Sequence, residues 1–300
     1  MSVPDISISI VALDKGEFLV DCLNSLFNTP ASVSFEVYVI INASSDGTID
    51  LLKEKFPQVH LISLAQDEGF TRSSNLGLQA GRGRYLMPLN PDILVQPGML
   101  DILVQFMDNH PEAGICTPKA LDSNGTTLQR QYRRSAARFW DVISYFANLS
   151  RLFPTSRLFR RYLITSIDES LTYAVEAGPG SCMLIRRNVL EQIGYFDENL
   201  FPYQEETDFC FRARQAKWKI YYIPQAHLIH CGGRGGSQVI RVTEVIQWYR
   251  CFYLFYRKNL ARNYFFLLNW MTYLAMGAKL GLSLIKNALL KEKIVGTQKH

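Results

Sequence analysis

The sequence Tyr85-Leu86-Met87-Pro88-Leu89-Asn90-Pro91-Asp92 is an apolar run that ends abruptly in a polar turn carrying a carboxylate. Such a run is typical of a buried strand that delivers Asp92 to the edge of a sheet. Ligands in open α/β sheets bind outside the carboxyl ends of the strands, which makes Asp92 a candidate ligand contact. The competing interpretation is that Asn90, Pro91 and Asp92 only initiate a turn, which all three residue types favour.

Strand-like and helix-like segments alternate through the first 120 residues. We predict strands over residues 6–13, 35–41, 59–64 and 84–89, a helix through Leu19 to Leu26, and further helices over 48–56 and 71–80. This alternation predicts βαβ units and an α/β fold with a Rossmann-like, mostly parallel sheet flanked by helices. The sequence contains no Walker A motif and no G-x-G-x-x-G after the first strand, so neither an ATPase nor a conventional dinucleotide enzyme is supported.

Composition and charge narrow the class of protein. The 300 residues are 48% hydrophobic, enough for one large domain or two small ones. The net charge of +5 is modest and does not indicate a nucleic-acid partner. The six cysteines include no C-x-x-C pair, which predicts reduced, mostly buried thiols. The N-terminal residues do not have the pattern of a secretory signal, so we expect a cytoplasmic location.

Arginines and aromatic residues interleave between Arg133 and Leu163. This pattern fits a segment that covers a cleft or touches an anionic surface. It fits equally well a packed flap in which arginines lie over aromatic faces.

Three carboxylates cluster at the predicted start of a helix, namely Glu205, Glu206 and Asp208. The helix dipole favours acidic residues there whatever their function. Mutual repulsion in such a cluster separates the pKa values of its members, which suits a general base.

A histidine-containing segment follows the short strand that we predict over 219–223. It runs from Pro224 through His227 and His230 to the glycines on either side of Arg234. Each histidine alone is more often structural than a ligand. Exposed backbone N–H groups together with Arg234 suit a diphosphate.

Two helical segments close the sequence. Gln247 to Lys258 is amphipathic and is expected to pack on the preceding domain. Asn263 to Ile285 is more apolar, but Asn269 and Lys279 interrupt it, and we favour a helix lying in the plane of a membrane surface. The alternative is a helical hairpin buried in a homodimer interface.

Several separated stretches match one family pattern, in order, between about residues 6 and 260. They are Asn42-Ala43-Ser44-Ser45-Asp46-Gly47-Thr48, Glu68-Gly69-Phe70 with Asn75 and Gly77, Leu89-Asn90-Pro91-Asp92, Gly194-Tyr195-Phe196-Asp197, Glu205-Glu206-Thr207-Asp208, and His230 before the glycines. With them the chain resembles the family 2 inverting glycosyltransferases, specifically the bacterial rhamnosyltransferase-like branch. The resemblance implies a GT-A catalytic domain over residues 1–240, with a donor half over about 1–120 and an acceptor half over about 121–240. Residues 241–300 would form a helical region that associates with a membrane or with a second copy.

By position, the resemblance assigns Asp92 and His230 to a divalent metal, Mn²⁺ or Mg²⁺, and to the donor diphosphate. It assigns Glu206 as the catalytic base, with Glu205 and Asp208 helping to orient the acceptor. The remaining predicted donor contacts are Asn42, Asp46, Asn75, Asn90 and Arg234.

The activity that the resemblance implies is transfer of rhamnose or another hexose, with inversion and with a metal, from a nucleotide-diphosphate sugar. The acceptor would be a saccharide or lipid-linked saccharide in cell-surface polysaccharide synthesis, at the inner face of the plasma membrane. The chain departs from the family pattern at Ala12-Leu13-Asp14, where a Thr-Tyr-Asn-like end is usual, and at Ile41, where Asp is usual.

These departures motivate an alternative, a catalytically inactive glycosyltransferase-like binding subunit at the membrane. The presence of Asp92, Glu206 and His230 opposes that alternative. A nucleotidyltransferase is a third interpretation, which shares the sheet but does not account for the acidic helix start.

Overall fold

The computed structural model describes residues 3–12, 16–43, 47–129, 153, 156, 168–201, 203–231 and 242–290. The strands are β1 (Ile6–Ala12), β2 (Phe35–Asn42), β3 (His60–Leu64), β4 (Tyr85–Leu89), β5 (Ile93–Val95), β6 (Ala113–Leu121), β7 (Tyr173–Val175), β8 (Leu184–Arg186) and β9 (Lys219–His230). The α-helices are α1 (Gly16–Phe27), α2 (Thr48–Lys55), α3 (Phe70–Ala80), α4 (Met99–Asn109), α5 (Arg187–Ile193), α6 (Glu205–Gln215), α7 (Val242–Asn259) and α8 (Phe266–Leu290). A short 3₁₀ helix, Ala261–Asn263, joins the last two.

The first half of the sheet is parallel, as the alternating pattern predicts. Strand β1 lies between β2 and β4 and pairs in parallel with both, and β3 pairs in parallel with β2. Parallel strands end at one edge, so Asn42 at the end of β2 and the turn after β4 lie on the same side of the molecule. A side chain at Gly77 would collide with Ser9 and Ile40, so glycine is needed where α3 approaches the sheet.

The second half of the sheet is mixed, which differs from the predicted mostly parallel arrangement. Strand β8 enters antiparallel to both β4 and β6, whereas β6 and β9 are parallel. Strands β5 and β7 pair antiparallel with β9. Parallel pairing requires a crossover connection, and the regular strand and helix alternation that supplies crossovers stops after β6. The α/β class stands, with antiparallel strands added on one side.

Strand β9 is longer than the segment 219–223 that we predict, because it continues to His230. Pro224 has no backbone N–H and argues against a continuous strand. The structure accommodates it with a register shift, in which neighbouring Pro118 and Lys119 on β6 face Ile223 and His227 on β9. The irregularity behaves as a β-bulge and allows the strand to deliver His230 to its end.

Helices cover both faces of the sheet. Tyr85 and Met87 of β4 belong to one buried cluster, whereas Leu86 between them belongs to another. Because side chains alternate along a strand, the two clusters lie on opposite faces.

Five of the six cysteines are buried, Cys231 is partly exposed, and all six are free, as predicted.

The helices α7 and α8 build a third apolar cluster. Buried side chains of α7, including Trp248, Phe252 and Phe255, pack with Leu200 of the preceding domain. This confirms the packing that the amphipathic pattern of Gln247 to Lys258 predicts. Helix α8 folds back on α7, where Tyr249 and Ser283 share a hydrogen bond of 2.9 Å between their hydroxyl oxygens. Within the described residues, no helix combines the length and apolar character needed to cross a bilayer.

Candidate active site

The predicted metal residues, Asp92 and His230, lie side by side. Strand β5 pairs Ile93 with His230, and the N–H of Cys231 donates to the carbonyl oxygen of Asp92 at 3.0 Å. This pairing brings Nε2 of His230 to 3.3 Å from Oδ1 of Asp92. Asp92 is 5% exposed, so its carboxylate is held within the protein rather than in open solvent.

The Asp92–His230 pair suits a divalent cation. Among the described residues, Oδ1 of Asp92 is buried without a hydrogen-bond partner, as is Oδ1 of Asn90. Buried polar atoms are normally paired, so such oxygens indicate a site that a ligand completes. Carboxylate oxygen with one imidazole accepts Mn²⁺ well and Mg²⁺ less well. The described residues contain no group of three or more His, Cys, Asp or Glu side chains that could hold a metal.

The turn after β4 is anchored from two sides. The backbone N–H of Asn90 donates to the carbonyl oxygen of Ser181 at 2.9 Å. From the other side, the Cys22 thiol contacts the carbonyl oxygen of Asn90 at 3.7 Å. Burial raises the pKa of the Cys22 thiol, and the charge of Asp92 raises it further, so the thiol stays neutral beneath the turn.

A strained turn precedes the acidic helix α6. Tyr203 and Gln204 both adopt positive φ angles, 83° and 71°. Each such residue costs about 1–3 kcal/mol, and this strain clusters at functional sites. Gln204 is 5% exposed, and its Oε1 is buried without a hydrogen-bond partner among the described residues. Burial raises the pKa of Tyr203, and the charges of Glu244 and Glu205 raise it further, which places α7 close to this turn.

The predicted base lies at the N-terminus of α6. Glu205 is 8% exposed and Glu206 is partly exposed, so Glu206 is the more accessible of the two. The Thr207 hydroxyl lies 3.4 Å from Oε1 of Glu206. A Cβ atom added to Gly180 would lie 3.3 Å from Cβ of Glu206, so glycine allows the two segments to approach.

One loop joins the two halves of the candidate site. Gly180 lies beside Glu206, and the next residue, Ser181, accepts the hydrogen bond from Asn90 in the turn that precedes Asp92. The turn that carries Asp92 and the helix that carries Glu206 therefore meet across residues 180–181. The described contacts thus bring Asp92 and His230 together and link the Asn90 turn to the start of α6 through one short loop.

Asp208 faces protein partners on both carboxylate oxygens. It is fully buried. Its Oδ2 accepts from Nε of Arg212 at 2.7 Å, and its Oδ1 accepts from Nδ2 of Asn259 at 2.8 Å and lies 2.9 Å from Nζ of Lys258. This geometry anchors α6 to α7 and does not present a carboxylate to solvent.

Two predicted donor contacts are occupied by protein groups as well. Nδ2 of Asn42 donates to Asp67 at 2.5 Å, and its Oδ1 accepts the N–H of Glu68 at 2.9 Å. Asn75 exchanges hydrogen bonds with the backbone of Phe196, at 3.0 and 3.1 Å. Both asparagines therefore hold neighbouring segments in place around α3. The remaining predicted contacts, Asp46 and Arg234, lie outside the described residues, as does the arginine and aromatic segment 133–163 apart from residues 153 and 156.

Sequence reasoning did not identify three residues at this site, Gln204, Asp67 and Gln129. Gln204 directly precedes the acidic cluster in the sequence, and this position is the one signal that could have indicated it. Gln129 contacts His230 in the structure, at 2.9 Å between Oε1 and Nδ1. The two residues are 101 positions apart, so no local sequence signal indicates this contact.

The family model described as "Glycosyltransferase like family 2" matches residues 4–259. The chain belongs to this family. An N-acetylglucosaminyl-diphospho-decaprenol L-rhamnosyltransferase of Mycobacterium tuberculosis is 29% identical over 202 residues, which are 63% of this chain and 64% of the relative. The low-salt glycan biosynthesis hexosyltransferase Agl10 of Haloferax volcanii is 24% identical over 269 residues, 87% of this chain and 76% of the relative. These relatives confirm the resemblance to the rhamnosyltransferase-like branch.

Solved structures confirm the fold. Staphylococcus aureus TarS 1–349 has a TM-score of 0.55 at 16% identity, covering 84% of this chain and 64% of TarS. GalNAc-T7 with UDP, GalNAc and Mn²⁺ has a TM-score of 0.57 at 18% identity, covering 76% of this chain and 44% of GalNAc-T7. Both likenesses are to GT-A glycosyltransferases and bear on the fold alone.

Proposed function

We propose that the chain is an inverting glycosyltransferase that transfers rhamnose or another hexose from a nucleoside-diphosphate sugar to a saccharide hydroxyl. The observation that carries the proposal is the junction at residues 180–181, where the Asp92 turn and the Glu206 helix meet. The names of the M. tuberculosis and H. volcanii relatives support a role in glycan synthesis. The rhamnosyltransferase also supports a lipid-linked acceptor.

In this proposal Glu206 acts as the general base. Its carboxylate takes the proton of the acceptor hydroxyl while that oxygen forms a bond to the anomeric carbon. The bond between the anomeric carbon and the diphosphate oxygen breaks on the opposite side, and its electron pair leaves with the diphosphate. Attack opposite to the leaving group inverts the anomeric centre. The oxocarbenium-like character of the transition state is shared with glycoside hydrolysis.

Asp92 and His230 would hold a divalent cation, Mn²⁺ or Mg²⁺. When bound there, such a cation would supply Lewis-acid chemistry, offsetting charge on the departing diphosphate. Asn90 lies in the same turn as Asp92, and the hydrogen bond from its backbone N–H to Ser181 holds that turn in place. Asp208 supports the base indirectly, because its bonds to Arg212 and Asn259 fix the start of α6.

The experiment that tests the proposal is a thermal-shift screen of nucleoside diphosphates and nucleotide sugars, each with and without Mn²⁺. A selective ligand raises the apparent stability of the folded chain by mass action, and the selected sugar nucleotide then enters a transfer assay. Binding without turnover would favour the alternative of a catalytically inactive subunit. Failure to bind any nucleoside diphosphate with Mn²⁺ would contradict the proposed donor site.

We propose further that α8 lies on a membrane surface. Many large apolar side chains of this helix and the residue before it are exposed: Phe265, Phe266, Leu267, Leu268, Trp270, Met271, Leu274, Leu282 and Ile285. From Phe266 onward they follow one side of the helix, opposite the buried Met276. The helix contains Lys279 and Lys286 and no acidic residue. An apolar face with basic residues and no acid suits the headgroup region of an anionic bilayer.

A further inference from the structure

A short hairpin returns the chain from β6 to the end of β9. Asp122 closes its turn, where one carboxylate oxygen accepts the N–H groups of three residues at 3.1–3.2 Å: Asn124, Thr126 and Thr127. Gly125 supplies the positive φ of 70° that the turn needs. The N–H of Gln129 then donates to the carbonyl oxygen of Ala120 at 2.9 Å. Gln129 is thus fixed beside the strand that ends at His230.

The Gln129 side chain holds His230 at two points. Its Nε2 donates to the carbonyl oxygen of His230 at 2.7 Å. Only the NH₂ group of an amide can donate to a carbonyl oxygen, so this bond fixes which way the amide is turned. Oε1 of Gln129 then faces Nδ1 of His230 at 2.9 Å. Because an amide oxygen only accepts, Nδ1 of His230 must carry the hydrogen.

This tautomer leaves Nε2 of a neutral His230 with a lone pair. Nε2 lies 3.3 Å from Oδ1 of Asp92, and that oxygen is itself buried without a hydrogen-bond partner among the described residues. A cation bound by both atoms would pair the buried carboxylate oxygen as well as the imidazole nitrogen. The opposite tautomer would put the hydrogen on Nε2, which would then have no lone pair to offer a cation.

We propose that Gln129 is a positioning residue that fixes the His230 tautomer and thereby presents Nε2 to the divalent cation of the site. This inference rests on the proposed function, because it requires Asp92 and His230 to bind that cation. Outer hydrogen bonds of this kind orient histidine ligands and typically contribute about 10- to 100-fold to metal affinity.

The first test needs no mutation at Gln129. Long-range ¹H–¹⁵N correlation spectra of the metal-free full chain at pH 8 distinguish the two imidazole tautomers, and His230→Gln identifies the signals of His230. We expect the hydrogen on Nδ1. A hydrogen on Nε2, or a doubly protonated ring at this pH, would overturn the inference.

The second test measures Mn²⁺ binding by electron paramagnetic resonance of the free ion. Gln129→Leu should weaken binding by about 10-fold or more and should let the Nε2–H tautomer of His230 appear. Gln192→Leu is the matched control. It removes a different glutamine hydrogen bond, the one that Gln192 on α5 accepts from Nε1 of Trp218. Circular dichroism confirms that both variants are folded.

The outcomes separate this inference from the proposed function. If Asp92→Asn leaves Mn²⁺ binding unchanged, the metal site itself is wrong. If Asp92→Asn abolishes binding while Gln129→Leu changes neither affinity nor tautomer, the site stands and the role of Gln129 is wrong.

Discussion

Lys258 lies 2.9 Å from Asp208, so a charge in the last turn of α7 neutralises a fully buried carboxylate in the first turn of α6. The same Nζ atom lies 2.7 Å from Asp197. The helix that carries the proposed base is therefore fastened to the C-terminal helices through its acidic end.

We predict that Asp208→Ala destabilises the chain strongly, because it leaves the Arg212 and Lys258 charges without their common partner. Leaving the partners of a buried polar group unsatisfied costs about 1–3 kcal/mol, and Asn259 and Arg212 both lose a bond here. Chemical denaturation followed by circular dichroism measures this loss. Lys219→Met is the control, because its ion pair with Glu112 is 3.9 Å long and largely exposed, and its loss should change stability much less. Equal losses in the two variants would contradict the anchoring role of Asp208.

Glu206→Gln should lower the rate of sugar transfer by about 10²- to 10⁴-fold, the usual contribution of a general base. Binding of Mn²⁺ and nucleoside diphosphate should be retained, because the amide keeps the shape of the side chain. Steady-state kinetics together with calorimetric titration separate the two effects. Glu191→Gln on α5, an exposed helix position, is the control. Unchanged turnover in Glu206→Gln would assign the base elsewhere.

Gly180→Ala should reduce turnover without removing metal binding. The added Cβ would lie 3.3 Å from Cβ of Glu206, so the base must shift by a few tenths of an ångström. Displacements approaching 1 Å cost about 100-fold in rate, and a several-fold loss is expected here. Gly277→Ala has open space around its Cβ and should leave turnover unchanged. A Gly180→Ala enzyme with full activity would show that Glu206 tolerates displacement.

Stability should fall at low pH through the Arg84 contacts. The hydrogen bond from Arg84 to Asp108 holds the pKa of Asp108 below its usual value of 3.8. A lowered folded-state pKa means that the ion pair contributes its full stability above about pH 4 and loses it as the pH falls through the folded value. Asp108→Asn should therefore flatten the dependence of unfolding free energy on pH below about 4. A dependence identical to that of the parent chain would contradict this assignment.

The exposed face of α8 should bind anionic vesicles. Trp270→Ser combined with Leu274→Ser removes two large exposed side chains and should abolish co-flotation with phosphatidylglycerol vesicles, with transfer to a soluble acceptor retained. Val3→Ser is the control, an exposed apolar residue remote in sequence from α8. A concentration-dependent dimer that the double substitution dissociates, without vesicle binding, would show that a second copy covers this face.

Much of the fold follows from local patterns. The strand before Asp92 and the start of α6 at Glu205 are both predictable, because apolar runs and acidic helix starts are local signals. The end of β9 was not predictable, since Pro224 normally interrupts a strand and the register shift that accommodates it depends on β6. The partners of the polar residues depend on contacts across long separations, as between Asn42 and Asp67 or Asn75 and Phe196. An asparagine fully bonded to protein and one that awaits a ligand look alike in sequence.

The contacts of Asp208 on α6 with Lys258 and Asn259 on α7 make α7 an integral part of the domain that carries Glu206. A chain that ends before Val242 would lack Lys258 and Asn259, which are partners of Asp208. It would also expose the apolar surface around Leu200 that α7 covers. A catalytic fragment prepared by simple C-terminal truncation is therefore expected to be poorly soluble. Biochemical work on this enzyme is better done with α7 kept and the outer face of α8 made polar.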